Sequence, residues 1–369
     1  MGQAKFYIGL MSGTSADGID LALVDFSGQS PRLLAKYYQA YRQDIRRQIM
    51  DLYIPGHNEI DRAFALDIRL ARLFAEAISA FLTREKLKPQ DIIAVGNHGQ
   101  TIRHRPALKE PFTLQIGCSQ TLATLTGIRV IGQFRRKDMA LGGQGAPLVP
   151  AFHQALFPPE GQDIFVVNIG GIANITYLPV DQTKNVLGFD TGPGNALIDT
   201  WYQQHQQGRY DNNGQWAAGG QINEALLTLL LDDDYFHQPA PKSTGREYFH
   251  ANWLAEKLTG FKLSPQDIQA SLTALTAHSI AQNIQALSNN ASIYLCGGGG
   301  RNGYLTAQLT SRLTGYSLKH SDILNIDSDA LEAMAFAWLA FAFDKKIPGN
   351  IPAATGASQA CVLGQVFEP

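Results

Sequence analysis

Two strand–turn–strand patterns, one near the start of the chain and one near its middle, constrain the fold more than any other feature. In the first, apolar runs flank the polar turn Met11–Gly18, and in the second, apolar runs flank the glycine turn Ile169–Asn174. A single ordinary hairpin would not recur at the start of each half. The recurrence therefore predicts a duplicated α/β fold in which two hairpins face each other across a cleft.

Composition indicates a globular protein with two domains. Its 369 residues exceed one ordinary core, and its net charge of −2 gives no support for a nucleic-acid or membrane-surface partner. Three widely separated cysteines favour a reducing compartment. With no N-terminal signal and no long apolar run, a cytoplasmic protein is expected. The Gly/Pro-rich segment 132–150 is the expected boundary between domains 1–140 and 141–369.

The first turn is rich in groups that bind phosphate. Met11-Ser-Gly-Thr-Ser-Ala-Asp-Gly18 contains hydroxyls, a carboxylate and glycines but no lysine, so it is not a Walker A loop. Its N–H groups and hydroxyls could wrap a phosphate, and Asp17 could face a hydrated metal ion. The alternative is an ordinary hairpin loop made of turn-forming residues.

A carboxylate in the middle of the chain is the main candidate for catalysis. A short apolar strand is expected to end at Asp190, followed by the turn Thr191–Gly194 and a helix from about Asn195. Open α/β sheets place their chemistry at such strand ends. The N–H groups there could hold an anion while the carboxylate takes a proton. The alternative is that Asp190 only forms the turn or caps the helix.

Two further segments carry dense polar groups. The segment Gly96–Pro106 is predicted as a loop after a short strand, and its His98, Gln100 and Thr101 suit a hydroxylated substrate such as a sugar. The basic trio that begins at Arg135 stands close to several glycines and could grip a substrate carboxylate. A solvated surface is the alternative for the trio.

Two features near the C-terminal end complete the set of candidates. The glycine run Gly297–Gly300 lies between a predicted strand and a predicted helix, which would let a flat ligand lie on bare backbone. Glu332 stands near the start of a helix. It is either a first-turn acid favoured by the helix dipole or a ligand of the substrate.

In order and over essentially the whole chain, these motifs resemble the anhydro-N-acetylmuramic acid kinase family, within the actin, hexokinase and Hsp70 superfamily. The resemblance is carried by Met11-Ser-Gly-Thr-Ser-Ala-Asp-Gly18, His98-Gly-Gln-Thr101, Phe134-Arg135, Gly142-Gly-Gln-Gly-Ala-Pro-Leu148, Asn168-Ile-Gly-Gly-Ile-Ala-Asn174, Phe189-Asp-Thr-Gly-Pro193 and Cys296-Gly-Gly-Gly299. It implies a duplicated actin-like (ribonuclease H-like) two-domain ATPase fold with a central cleft. It also implies a kinase of peptidoglycan recycling that opens the 1,6-anhydro sugar ring with water and phosphorylates O6 with ATP.

The resemblance implies a role for each motif residue. Asp190 would be the catalytic base, and Mg²⁺ would be held near Asp17 through water. ATP would be bound by Ser12, Gly13, Thr14, Ser15, Ala16, Asp17, Gly18, Ile19, Asn168, Gly170, Gly171, Asn174, Gly297, Gly298, Gly299 and Asn302. The sugar would be bound by His98, Gln100, Thr101, Arg135, Gln144, Gly192, Asn195 and Glu332. The implied partners are the amino sugar and ATP, and a homodimer is left open.

Two positions depart from the pattern of the family. Gln133 stands where Asp is usual, and Asn97 stands where a small residue such as Ser is usual. If that Asp fixes the substrate or a neighbouring arginine, the affinity for the substrate would be weakened. Two other functions stay open: an ordinary hexose kinase, in which water does not enter the product, and a non-catalytic, nucleotide-driven module in the manner of actin.

Overall fold

The computed structural model describes residues 5–28, 30–157, 161–321, 327–328 and 330–369. The chain forms two compact units, one made of residues 1–156 and 330–369 and the other of residues 157–329. Each unit has its own mixed β-sheet and its own hydrophobic core. Among the described helices, none combines the length and apolarity that crossing a membrane requires.

Strands and helices are mixed along the described chain, with the strands grouped near the start of each unit. The strands are β1 (Phe6–Ser12), β2 (Gly18–Asp25), β3 (Arg32–Ala40), β4 (Ile92–Arg105), β5 (Phe112–Ile116), β6 (Val130–Gly132), β7 (Asp163–Ile169), β8 (Ile172–Leu178), β9 (Leu187–Pro193), β10 (Ala291–Cys296), β11 (Ser317–His320) and β12 (Gln365–Phe367). The helices are α1 (Gln43–Asp51), α2 (Glu59–Glu85), α3 (Ser119–Thr126), α4 (Arg136–Ala140), α5 (Val149–Leu156), α6 (Asn195–His205), α7 (Gln215–Ala218), α8 (Glu224–Leu231), α9 (Asp234–His237), α10 (Ala251–Lys257), α11 (Pro265–Leu287), α12 (Gly303–Arg312), α13 (Leu331–Lys345) and α14 (Pro352–Thr355).

The two sheets repeat one arrangement of strands. In the first unit, β1, β2 and β3 form an antiparallel meander, and β4 pairs with β1 in parallel. In the second unit, β7, β8 and β9 form the same meander, and β10 pairs with β7 in parallel. Beyond these, β6 pairs in parallel with β4, and β11 pairs in parallel with β10. This repeat confirms the duplicated α/β fold predicted from the two turns.

Helix α13 lies directly on the first sheet because two paired strand positions are glycine. Gly9 in β1 pairs with Gly96 in β4. A Cβ atom at Gly9 would lie 1.7 Å from the carbonyl oxygen of Ala333, and a Cβ atom at Gly96 would lie 2.0 Å from that of Phe336. Any side chain at either position would push the helix away from the sheet.

The compact units therefore differ from the predicted domains 1–140 and 141–369. Helix α5 and the segment that carries α13 and β12 fall in the first unit, because α13 packs on β1, β2 and β4 while β12 pairs with β6. The second unit is a single insertion between α5 and α13. Its core lies between the apolar faces of β7–β10 and the buried side of α11, with Phe165, Ile293 and Ile280 among its members.

Candidate active site

Three polar side chains form one row across the second sheet. Asn168 in β7 pairs with Asn174 in β8, which pairs with Asp190 in β9. Residues directly opposite each other in a sheet point to the same face. These three are half-buried, whereas their neighbours Val167 and Phe189 are buried in the core. Two predicted nucleotide ligands and the predicted base thus share one accessible face of the sheet.

Asp190 lies inside β9 and not at its end, so the predicted strand boundary is wrong. β8 continues to pair with Gly192 and Pro193, which extends the strand beyond the carboxylate. The predicted turn after the strand therefore shrinks to Gly194. Helix α6 begins at Asn195, as expected.

One oxygen of the Asp190 carboxylate is held in a fixed position. The Ser243 hydroxyl and the Thr244 backbone N–H each donate a hydrogen bond of 3.0 Å to Oδ2. The main chain of Asp190 is also fixed, because its N–H donates to the Lys242 carbonyl at 2.9 Å and its carbonyl accepts from the Tyr235 hydroxyl at 2.8 Å. In the described part of the chain, no donor reaches the second oxygen, Oδ1. The carboxylate is therefore oriented with one oxygen available.

The electrostatic surroundings make Asp190 a stronger base than an ordinary aspartate. Burial raises the pKa of Asp190 above its usual value, and the negative charge of Glu247 acts in the same direction. The hydrogen bonds from Thr244 and Ser243 act in the opposite direction and keep the charged form accessible. A raised pKa brings a general base closer to the pH at which it works.

The N-terminus of α6 is not free to bind an anion, contrary to expectation. The N–H groups of Gly194 and Ala196 donate to the Gly171 carbonyl at 2.9 and 3.0 Å. The N–H group of Asn195 donates to the Gly170 carbonyl at 2.8 Å. These bonds use donors that would otherwise face a ligand, and they fix the second glycine turn against the helix.

The glycine run after β10 packs against the second glycine turn. A Cβ atom at Gly297 would lie 2.4 Å from Asn168 Oδ1, and a Cβ atom at Gly299 would lie 2.3 Å from Ile169 Cγ2. At Gly298 the nearest such atom, Asn195 Nδ2, is 4.0 Å away. Gly297 and Gly299 thus permit close packing, whereas Gly298 leaves open space.

Three of the predicted ligands in the second unit are engaged in contacts with other residues of that unit. The Asn195 side chain donates to the Ile169 carbonyl at 3.1 Å. Asn302 is the N-cap of α12, and its Oδ1 accepts from the Leu305 N–H at 3.0 Å. Gly192 is buried, and a Cβ atom there would lie 2.7 Å from the Phe236 ring. The structure gives these residues a role in shaping the site.

The first turn contains both buried side chains and an exposed tip. The side chains of Ser12, Ala16 and Ile19 are fully buried, whereas Thr14 and Ser15 are exposed, as is Asp17. Ala16 adopts a left-handed backbone conformation with φ of 53°, and its N–H donates to the Gly13 carbonyl at 3.0 Å. The exposed tip therefore presents two hydroxyls and one carboxylate on a tightly folded backbone.

Gln100 stabilises the first turn through two hydrogen bonds from its side chain. Its Oε1 accepts from the Ser12 hydroxyl at 2.6 Å, and its Nε2 donates to the Gly13 carbonyl at 3.1 Å. The Ser12 hydroxyl also lies 2.8 Å from the Tyr41 hydroxyl. Gln100 is fully buried, and its Nε2 also donates to the Tyr53 hydroxyl at 3.1 Å and to the Thr101 carbonyl at 3.2 Å.

The segment predicted as a polar loop is a strand. β4 continues to Arg105 because β5 pairs with its second half in antiparallel register. Pairing partners 7 to 16 residues ahead are not visible in the local pattern of polar residues and glycines. Thr101 therefore lies on a strand, where its hydroxyl accepts from Gln115 Nε2 at 3.1 Å.

His98 and Arg135 form one hydrogen-bonded unit. Arg135 Nη2 lies 3.0 Å and Nε lies 3.3 Å from His98 Nε2. His98 Nδ1 lies 2.9 Å from the Gly99 carbonyl, so it carries the proton and Nε2 accepts. Burial lowers the pKa of His98 well below its usual value, and the positive charge of Arg135 adds to this effect. His98 is therefore the neutral partner of a charged arginine.

Arg135 also donates a hydrogen bond to the glycine-rich segment, and the charge of Glu332 influences its pKa. Its Nη1 donates to the Gly145 carbonyl at 2.8 Å. Burial lowers the pKa of Arg135 to about 10, and the negative charges of Glu332 and Asp138 oppose this shift, so the guanidinium is positive at neutral pH. Desolvation raises the pKa of Glu332, and Arg135 opposes that shift. Gln144, next to Gly145, has an exposed side chain.

Asp138 is a structural residue of the site that the sequence did not reveal. It is fully buried and accepts hydrogen bonds from Asn350 Nδ2 at 2.7 Å, the Thr355 hydroxyl at 2.7 Å and the Gly145 N–H at 2.8 Å. A Cβ atom at Gly143 would lie 2.2 Å from its Oδ2. Asp138 thus ties the glycine-rich segment to the C-terminal part of the chain. The sequence signal that could have pointed to Asp138 is its position directly after the basic trio that begins at Arg135.

The two positions that depart from the family pattern line one small cavity beside His98. The cavity has a volume of about 140 Å³, and Asn97, Gln133 and Asp67 belong to its lining. Gln133 adopts a left-handed conformation with φ of 60°. Asp is enriched in that conformation relative to Gln. The departure at this position therefore places the less suitable residue type on a demanding backbone.

Comparison with known proteins identifies one family. The model of the anhydro-N-acetylmuramic acid kinase family matches residues 5–369. The anhydro-N-acetylmuramic acid kinase of Colwellia psychrerythraea is 59% identical over 388 residues, which cover 100% of this chain and 98% of that protein. The kinase of Shewanella oneidensis is 49% identical over 363 residues, with 98% of each chain covered. Among solved structures, (R)-2-hydroxyglutaryl-CoA dehydratase component A of Acidaminococcus fermentans has a TM-score of 0.48 at 11% identity, covering 90% of this chain and 96% of that one.

Proposed function

The chain belongs to the anhydro-N-acetylmuramic acid kinase family, and from this premise we propose how its residues carry out the reaction. The enzyme is a sugar kinase of peptidoglycan recycling. It opens the 1,6-anhydro ring of anhydro-N-acetylmuramic acid with water and phosphorylates O6 with ATP. The products are N-acetylmuramic acid 6-phosphate and ADP.

Asp190 is the base in this proposal. Its Oδ1 takes a proton from the water that attacks C1, and the C1–O6 bond breaks with its electron pair going to O6. O6 then attacks the γ-phosphorus of ATP, and the bond to the β-phosphate oxygen breaks to release ADP. The observation that supports this role best is the carboxylate itself, in which Ser243 and Thr244 fix Oδ2 while Oδ1 is available.

The nucleotide is held by the two hairpin turns and the glycine run. In the first turn, the exposed groups of Thr14, Ser15 and Asp17 are the ones that face the ligand, together with the backbone of Gly13. The buried members of that turn, which are Ser12, Ala16, Gly18 and Ile19, shape the backbone. In the second unit the ligands are Asn168, Gly170, Gly171 and Asn174, while Gly297, Gly298 and Gly299 border the adenosine and Asn302 caps the helix behind them.

Mg²⁺ is the metal that this donor set suits. Mg²⁺ commonly keeps several waters and binds one or two carboxylates together with substrate phosphates. Asp17 is half-exposed and pairs with Arg46 at 3.2 Å, a surface contact that contributes little and that a metal-bound water can replace. Among the described residues, no group of three or more His, Cys, Asp or Glu side chains is arranged to hold a metal by itself. Mg²⁺ would neutralise charge on the phosphates, with Asp17 holding it through water.

The sugar is recognised through its lactyl carboxylate and its hydroxyls. Arg135 supplies a planar cation for the carboxylate, with His98 holding its guanidinium from one side. Glu332, whose charge acts on Arg135, accepts hydrogen bonds from hydroxyls, and the exposed Gln144 side chain accepts from hydroxyls or donates to them. Thr101 is partly exposed, whereas Gln100, Gly192 and Asn195 act through the backbone segments that they hold.

One product assay tests the proposed function as a whole. The purified enzyme with ATP and Mg²⁺ is offered anhydro-N-acetylmuramic acid, anhydro-N-acetylglucosamine and N-acetylglucosamine, and the products are identified by mass spectrometry. We expect N-acetylmuramic acid 6-phosphate, with one molecule of ADP formed per molecule of product. Release of inorganic phosphate without any sugar would instead support a nucleotide-driven module, and phosphorylation of N-acetylglucosamine would support an ordinary hexose kinase.

A further inference from the structure

Arg246 lies with its guanidinium directly on the second glycine turn. A Cβ atom at Gly171 would lie 2.6 Å from Arg246 Nη2 and 2.7 Å from its Nε. Only a residue without a side chain at position 171 lets the guanidinium rest on the backbone in this way. Arg246 is exposed, and among the described residues no carboxylate lies within ion-pair distance of it. The cation is therefore accessible at the turn.

The segment that carries Arg246 is the one that orients Asp190. Ser243 and Thr244 donate to the Asp190 carboxylate, and Arg246 follows two residues later. Lys242 anchors the segment, because its buried ammonium group donates to the carbonyls of Tyr235 at 3.0 Å and Phe236 at 3.3 Å. The position of Arg246 is thus set by the same short stretch of chain that sets the position of the base.

The residues assigned to the nucleotide lack a cation. The first turn contains a carboxylate and no lysine, and the second turn contains asparagines and glycines. Phosphoryl transfer depends mainly on positioning and on neutralising the charge of the phosphates. A guanidinium binds phosphate oxygens through two parallel hydrogen bonds, which suits this task.

We propose that Arg246 binds the terminal phosphates of the nucleotide at the second glycine turn. The proposal rests on the assignment of Asn168–Asn174 as a phosphate turn in the proposed function. The competing explanation is that Arg246 only balances the charge of Asp199 on α6. Burial nonetheless raises the pKa of Asp199 to about 6 despite the opposing charge of Arg246, so the two are not a tight pair.

Binding measurements with nucleotides of different phosphate number test this role without any sugar. Calorimetry would give the Kd of AMP, ADP and a non-hydrolysable ATP analogue for the wild type, Arg246→Ala and Arg246→Lys, with Mg²⁺ present. Arg246→Ala should raise the Kd of the ATP analogue by about 10- to 150-fold, the range for a lost charge-assisted contact. The Kd of AMP should stay within about twofold, and Lys should restore part of the loss. Arg209→Ala, at an exposed arginine beyond α6, is the matched control and should change none of these values.

Equal effects on all three nucleotides, or no effect on any, would overturn the proposal. If Arg246 only balances the charge of Asp199, the three Kd values should change equally or not at all. Arg246→Ala should then also lower the Tm, and Asp199→Asn should restore it. Because the measurement needs no sugar, it tests the phosphate contact of Arg246 separately from the proposed kinase function. A phosphate-dependent loss of affinity in an enzyme that fails to phosphorylate anhydro-N-acetylmuramic acid would uphold Arg246 and refute the proposed function.

Discussion

Asn174 in β8 lies directly opposite Asp190 in β9, so a predicted nucleotide ligand and the predicted base occupy one cross-strand pair. The pair stands where the β8–β9 register shifts, between Ala173 and Asn174. Bulges of this kind re-aim side chains and are common beside active sites. The amide and the carboxylate are therefore held at a short separation by the backbone of two strands.

Replacing Asp190 with Asn should abolish turnover while leaving nucleotide binding intact, because only the proton acceptor is lost. The kcat should fall by at least about 10²-fold, whereas the Kd of ATP should stay within a few-fold. Steady-state kinetics and calorimetry on the same preparation give both values. Near-normal turnover would move the base to another residue, with Glu332 next in line.

Replacing Ser243 with Ala should shift the pH profile of kcat/KM. The Ser243 hydroxyl donates to Asp190 Oδ2 and lowers the pKa of the carboxyl group. Without that bond the pKa of Asp190 rises, so the acidic limb of the profile should move to higher pH. Ser311→Ala on α12 is the control, since its hydroxyl contacts only its own helix. An unchanged acidic limb would mean that Asp190 does not set it.

Replacing Arg135 with Lys should weaken binding of the sugar more than binding of ATP. A lysine cannot reproduce the two-point contact of a guanidinium with a carboxylate. The KM for anhydro-N-acetylmuramic acid should rise by about 10- to 150-fold, with a much smaller change in the KM for ATP. Arg136→Lys is the matched control, because that neighbouring side chain is exposed on α4. Equal changes in both KM values would argue against a carboxylate contact.

His98 should stay neutral over the pH range in which the enzyme works. Its pKa is lowered in the folded chain, so the unfolded chain binds more protons as pH falls through the usual value of 6.5. The stability that this residue contributes is therefore present above that pH and is lost below it. NMR of ring-labelled histidine should show the Nδ1–H form between about pH 6 and 8. Titration of His98 near its usual pKa would contradict the assigned hydrogen bonds.

The duplicated fold could be predicted, and Asp190 could be selected as the candidate base, because both signals are local. A glycine-containing turn between apolar runs predicts each hairpin, and Asp190 stands beside such a turn. Contacts between distant segments could not be predicted in this way. Ser243 and Thr244 reach Asp190 from more than 50 residues away, and α13 reaches Gly9 across most of the chain. The same limit explains why the second half of β4 was predicted as a loop, since its partner β5 lies further along the sequence.

The central claim is that water adds at C1 of the sugar while O6 takes the phosphoryl group, and a reaction in ¹⁸O-water tests it most directly. The account predicts one heavy oxygen on the anomeric carbon of N-acetylmuramic acid 6-phosphate. The phosphate group should be unlabelled, because its bridging oxygen comes from O6 and the other three come from ATP. The reaction is quenched early and compared with product incubated alone in the same water, since the anomeric hydroxyl exchanges slowly with solvent. Heavy oxygen in released inorganic phosphate, with the sugar unlabelled, would contradict the account.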